Sequence, residues 1–113
     1  MDTKNIPFGL VKWDQVQPNK HDGETGFALW RDVDLGDLHV HLAEYSPGYI
    51  AAGWCNVGHV LTVIKGSLTT QLKDGREFYL DEGTSYIVSS DQANPHRSRT
   101  ETGATLLVVD LID

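Results

Sequence analysis

One cysteine and two histidines hold most of the reactive chemistry of this 113-residue chain. Cys55 and His59 stand four positions apart in 53–66 (GWCNVGHVLTVIKG), a turn running into an apolar strand that closes on Gly66. His96 follows much later, in NPHRSR. A thiolate and two imidazoles form a ligand set for zinc, iron, nickel or copper. Three protein ligands leave one position for water or a bidentate substrate, as in a catalytic metal site. An even spacing puts Cys55 and His59 on one face of a continuous strand, although Asn56-Val57-Gly58 favours a turn or bulge between them. Each residue also has a plain reading: His59 as a polar rim residue, His96 as a surface hydrogen-bonding histidine, Cys55 as a small buried apolar side chain. A cysteine–histidine nucleophilic pair is a further alternative, without any recognisable oxyanion or orienting group.

Side chains this far apart in sequence meet only if strands carry them into one cavity. Nearly every segment reads as a strand. The stretch 27–33 (FALWRDV) is short and aromatic between Gly26 and Gly36. In 38–45 (LHVHLAEY), Leu38, Val40 and Leu42 alternate with His39 and His41, a period of two. Ser46-Pro47-Gly48 breaks it with turn chemistry. After 59–65, Asp74-Gly75 joins 68–72 to 77–80, a dipeptide suited to a type I′ hairpin turn. Segments 84–89 (TSYIVS) and 104–111 (ATLLVVDL) follow, the last apolar enough to expect burial on both faces. Strands at this spacing, divided by Gly, Pro and Asp, predict an all-β sandwich or small barrel. We expect one domain over 1–113, with an irregular amino-terminal arm over 1–25, anchored by Trp13, and the barrel over 26–113.

Composition removes several classes of function. A net charge of −7 and a pI near 5.0 disfavour nucleic acid and anionic membrane surfaces as partners. The acidic residues, among them Asp2, Asp14, Asp37 and Glu82, are scattered as solvated surface. A single cysteine excludes an internal disulfide and suits a reducing cytoplasm. No apolar run approaches the roughly 20 residues of a membrane span, and 1–10 lacks a signal-peptide core. P-loop, dinucleotide, G-x-S-x-G and Cys-x-x-Cys motifs are all missing from the sequence.

The chain resembles the cupins, conical jelly-roll β-barrels whose metal ligands come from two motifs, G-x5-H-x-H-x3-E-x6-G and G-x5-P-x-G-x2-H. Anchoring the first on Gly66 puts His59 in the glutamate slot and Gly53 and Cys55 in the histidine slots. Anchoring the second on Gly83 and His96 leaves two extra residues, with Ser90 to Pro95 in place of the Pro-x-Gly turn. From Trp13 onward the chain is similar to small single-domain DHCW-motif cupins. That likeness is carried by GETGFALW (23–30), YSPGYIA (45–51), WCNVGHVL (54–61), LKDGREFYL (72–80), GTSYIV (83–88) and PHRSRTETGA (95–104). Where that family has Asp-His before Trp-Cys, this chain has Ala52-Gly53. The likeness implies a metal site damaged by those two substitutions; Cys55, His59 and His96 are the ligands that remain for a single transition metal. Trp54, Tyr49 and Tyr86 are expected to line its pocket, and Trp30 to join the core. His39 and His41 fall on the preceding strand and read as a solvent-facing or outer pair, with a second chelating patch as the alternative. His21 reads as loop surface, and Arg97 and Arg99 as surface residues opposite His96.

Three functions follow as expectations, with no catalytic residue assigned. One is a metal-dependent enzyme acting on a small polar molecule. The second is a non-catalytic, metal-free barrel that binds or senses a small ligand. The third is a structural module forming a homodimer through an outer sheet face or the arm.

Overall fold

The structure, a computed structural model, describes residues 3–90 and 94–111. Asp2, and Asp91 to Ala93 of the expected turn before His96, lie outside the described residues. Among the described residues nine strands form: β1 (Asn19–Asp22), β2 (Phe27–Leu35), β3 (Leu38–Tyr45), β4 (His59–Gly66), β5 (Leu68–Leu72), β6 (Glu77–Leu80), β7 (Ser85–Val88), β8 (His96–Arg99) and β9 (Ala104–Asp110). Single 3-10 turns occupy Thr3–Asn5 and Trp13–Gln15. β1 lies inside the segment expected to be irregular; its four polar, exposed residues carry no hydrophobic alternation to announce it.

The strands build a jelly roll of two sheets. One runs β1-β2-β3-β9-β4-β7 and the other β6-β5-β8. Ala43, Leu61, Val63, Leu106 and Val108 of the larger sheet meet Leu68 and Leu80 of the smaller in one core. Burial alternates along β4 and β9 as a two-layer sandwich requires. The side chains of Leu106 and Val63 are fully buried, each worth about 1.5–3 kcal/mol of hydrophobic transfer. The sheets do not close into a hydrogen-bonded cylinder. They are stitched along one side by bridges from Ile50 to Thr25 and Arg99, and from Cys55 to His96.

Three expectations need correcting. β9 is not buried on both faces: Ala104, Leu106 and Val108 are buried, and the residues between them only half so. It is central in its sheet, yet only one side of that sheet faces the second. The Asp74-Gly75 connection is not type I′, because Asp74 has no positive φ. Gly75 N–H donates to Leu72 O (3.0 Å), and Gly75 (φ 101°) follows as a bulge residue, the three-residue hairpin form. The third correction concerns β3. Its alternation is as read, but the faces are reversed. His39 and His41 share the inner face with Ala43, while Leu38, Val40 and Leu42 lie half-buried on the outer one.

The amino-terminal arm rests on the tip of the β2–β3 hairpin. A side chain at Gly36 would collide with the Asn5 carbonyl, and Gly9 faces Leu35. Phe8 and Leu10 are left exposed.

Candidate metal centre

His59 opens β4 and His96 opens β8, on facing sheets. Both are buried, at 7% and 2% exposure. Cys55 comes from the bent segment that leaves β3 and runs beside β8. Along it Ala51 N–H donates to Ser98 O (3.1 Å), and Cys55 and His96 exchange two backbone hydrogen bonds of 2.8 and 3.0 Å. This fixes Cys55 directly opposite His96. The Cys55, His59 and His96 donor atoms all lie within 4.8 Å of one another, and the two imidazole centroids are 4.9 Å apart.

The nitrogens of the two rings are differently engaged. His96 Nδ1–H donates to the Asn94 carbonyl at 3.0 Å. In the neutral ring Nε2 is then the lone-pair nitrogen, and it is buried without a hydrogen-bond partner. A buried polar atom in that condition is costly unless something binds it. His59 Nε2 sits 2.9 Å from the Tyr86 hydroxyl, while its Nδ1 faces Asp110 Oδ1 at 3.8 Å.

The charge states of His59 and Cys55 suit coordination. Burial, followed by the neighbouring His96, pushes His59 down to about 4, partly offset by Asp110; the ring is neutral at ordinary pH and able to ligate. The Cys55 thiol is lowered mainly by His96, against its burial. Burial opposes charging of His96, but Cys55 and the Asn94 carbonyl together raise it. Cys55 thus shares charge with His96 without completing a hydrogen bond to Nε2. The donor set and the orphaned Nε2 fit a soft or borderline transition metal.

The cluster opens on a cavity of about 430 Å³, whose walls include Trp30, Tyr45, Tyr49, Trp54 and Tyr86. A second groove of about 440 Å³, between the unpaired edges of β6 and β7, reaches His96 and Tyr86 from the other side. Tyr49 is buried and Trp54 rim-exposed at 36%. Trp54 is covered by the Arg97 guanidinium, 4.6 Å from its centroid. Arg97 and Arg99 do alternate away from His96 along β8, and Arg99 pairs with Glu77 at 2.7 Å. Ala52 and Gly53 line the cavity without a donor side chain.

Sequence reasoning missed Asp110, Asp32 and the inward turn of His41. His41 Nε2 bonds Asp110 Oδ2 at 2.7 Å and its Nδ1 bonds Asp32 Oδ1 at 2.6 Å. The ring packs edge-on against Trp30, with centroids 5.6 Å apart. Only the register that sets His41 beside Asp32, and both His39 and His59 opposite Asp110, brings these residues together.

No protein-family model matches the chain, and no curated protein does so in sequence. Solved structures do. The fold is similar to EutQ of Clostridium difficile (15% identity, 96% of each chain covered, TM-score 0.71). A cupin-superfamily sugar phosphate isomerase of Silicibacter pomeroyi matches at 17% identity over 93% of this chain and 76% of its own, with TM-score 0.71. Fe(II)-HppE with an alternative substrate matches at 14% identity over 92% of this chain and 60% of its own, with TM-score 0.73. The chain therefore has the cupin jelly-roll fold, with a Cys–His–His cluster facing its cavity. No helix is long and apolar enough to cross a membrane, among the described residues.

Proposed function

We propose that this chain is a small cupin that holds one transition metal on Cys55, His59 and His96 and binds a small organic molecule beside it. The observation that carries this reading is the convergence of three donor atoms within 4.8 Å around a buried, unpartnered His96 Nε2. Cys55 would bind as the thiolate, with His59 and His96 as neutral imidazoles. When bound, the metal supplies a Lewis acid or redox centre. The chain's own residues shape access: the Tyr and Trp walls exclude water and favour a flat, weakly polar ligand. Cupin-fold neighbours that include a sugar phosphate isomerase and an iron(II) protein agree with an enzyme or ligand-binding role. The likeness to DHCW-motif cupins belongs to the same reading, with Ala52-Gly53 in place of two residues of that signature. A cytoplasmic location and a homodimer are parts of it that rest on composition and on the exposed Phe8 and Leu10.

One observation favours the metal-free alternative, a barrel that binds its ligand without an ion: His59 Nε2 already meets the Tyr86 hydroxyl, and Gly53 offers no ligand to compete for it. Elemental analysis of untagged protein, repeated on His96→Ala, decides between them. About one equivalent of a transition metal that disappears with His96 is expected. Folded wild-type protein that holds none, and takes none up on reconstitution with zinc or iron(II), would refute the metal reading.

A further inference from the structure

The inner face of the larger sheet carries a string of ionisable side chains that a three-residue metal cluster does not require. It runs from His59 through Asp110 and His41 to Asp32. Each link joins neighbouring strands, β4 to β9, β9 to β3 and β3 to β2. Asp110 and His41 keep only 16% and 17% of their side chains exposed. Burying ionisable groups is unfavourable unless they are paired, so the string needs an account.

His41 has a carboxylate on each ring nitrogen. A carboxylate only accepts hydrogen bonds, so both nitrogens donate and the ring is an imidazolium. The pair with His41 turns Asp110 Oδ2 toward β3. The remaining oxygen, Oδ1, is left facing His59 Nδ1 at 3.8 Å. This exceeds a hydrogen bond, but at that distance an anion attracts an N–H and repels a lone pair. The opposite nitrogen meets the un-ionised Tyr86 hydroxyl, which can donate its proton to a lone pair there. Asp110 selects the Nδ1–H tautomer, and the Tyr86 hydroxyl accommodates it.

We propose that Asp110, locked in place by His41 and Asp32, is the positioning residue that keeps the proton of His59 on Nδ1 and presents the Nε2 lone pair to the cavity. The tautomer stands by itself; its use in metal binding rests on the function proposed above. Carboxylates hydrogen-bonded behind a ligating histidine set ring orientation and basicity, and their loss typically weakens metal affinity about 10–100-fold; Asp110 acts on His59 across 3.8 Å, which makes that range the upper bound here.

The test separates the two parts. Long-range nitrogen–proton correlation spectra of histidine-labelled full-length protein in chelator report the tautomer of His59 directly. Wild-type protein is expected to show Nδ1–H. Asp110→Ala is expected to move the proton to Nε2 and Asp110→Asn, whose amide oxygen still accepts, to restore it in part. If Asp110→Ala does not fold, Asp32→Asn loosens the string two links away and should populate the second tautomer. A wild-type Nε2–H ring, or a tautomer unchanged in a folded Asp110→Ala, overturns the proposal. For metal, zinc affinity should fall, by at most about 10–100-fold, in Asp110→Ala and recover partly in Asp110→Asn. An unchanged affinity despite a changed tautomer overturns the ligating role of Nε2. Failure of every variant, wild type included, to bind zinc would instead sink the metal reading and leave the tautomer result in support of Asp110 as the residue that positions His59.

Discussion

Acidification of the metal-free protein should expose the burial of His59 as a loss of stability with a defined window. The ring is 7% exposed and held down to about 4 from the ordinary 6.5, chiefly by burial and then by His96. Its charged form is therefore disfavoured in the folded chain. The unfolded chain takes up a proton first as pH falls, so the contribution of His59 is fully present above 6.5. It is lost progressively down to about 4. At 1.36 kcal/mol for each pH interval of one, the whole span amounts to about 3 kcal/mol. His41 and His96 act in the opposite sense. Both are raised, so their contribution is complete below 6.5 and declines as pH rises through their folded values. The comparison that isolates His59 is with His59→Gln, which keeps a polar side chain and cannot titrate. Urea unfolding in chelator, from about pH 7.5 to about pH 4, gives both curves. The wild type should lose about 3 kcal/mol relative to His59→Gln across the window. A difference constant to within about 0.5 kcal/mol, the usual scatter of such comparisons, would refute the assignment of a buried neutral ring.

Three other outcomes follow from the same geometry. Gly53→His, alone or with Ala52→Asp, should fold normally, because a Cβ there meets open space and Gly53 has no positive φ; calorimetry should find transition-metal affinity raised at least about tenfold, and no change would mean that position 53 does not address the cluster. Tyr86→Phe frees His59 Nε2 from its hydroxyl, so zinc should bind about two- to tenfold more tightly, one net hydrogen bond being about 0.5–1.5 kcal/mol; weaker binding would make the hydroxyl a partner of the metal rather than its competitor. Gly66→Ala should lose more than about 2 kcal/mol in denaturant titration, since Gly66 has φ 82° and its new Cβ would lie 2.1 Å from the Gly103 carbonyl, whereas Gly48→Ala, at φ 81° in open space, should lose only about 1 kcal/mol.

Strand alternation made most of the fold legible. β3, β5 and β6 have the bounds that the pattern predicts, and β2, β4, β7 and β9 differ only at their ends. β1 was not legible because an exposed edge strand of Asn, Lys, His and Asp buries nothing that would impose a period. The inversion of β3 has a different cause. Alternation divides a strand into two faces but does not say which faces the core, and by hydrophobicity alone Leu38, Val40 and Leu42 form the core-facing set. The face that turns inward is the one carrying Ala43, buried in the core, and on it His41 finds a carboxylate for each nitrogen.

Residue order is enough to specify an all-β chain, most of the turns that punctuate it, and three residues with the chemistry of metal ligands. Those are local properties, set by side-chain type and by a period of two. Tertiary structure alone decided that Cys55, His59 and His96 meet, since their approach depends on a bridge between two sheets and on the facing of β4 and β8. It alone decided that Asp110, at the end of β9, stands behind His59. Strand register carries that information, and register is fixed by the packing of the whole core rather than by any segment read alone.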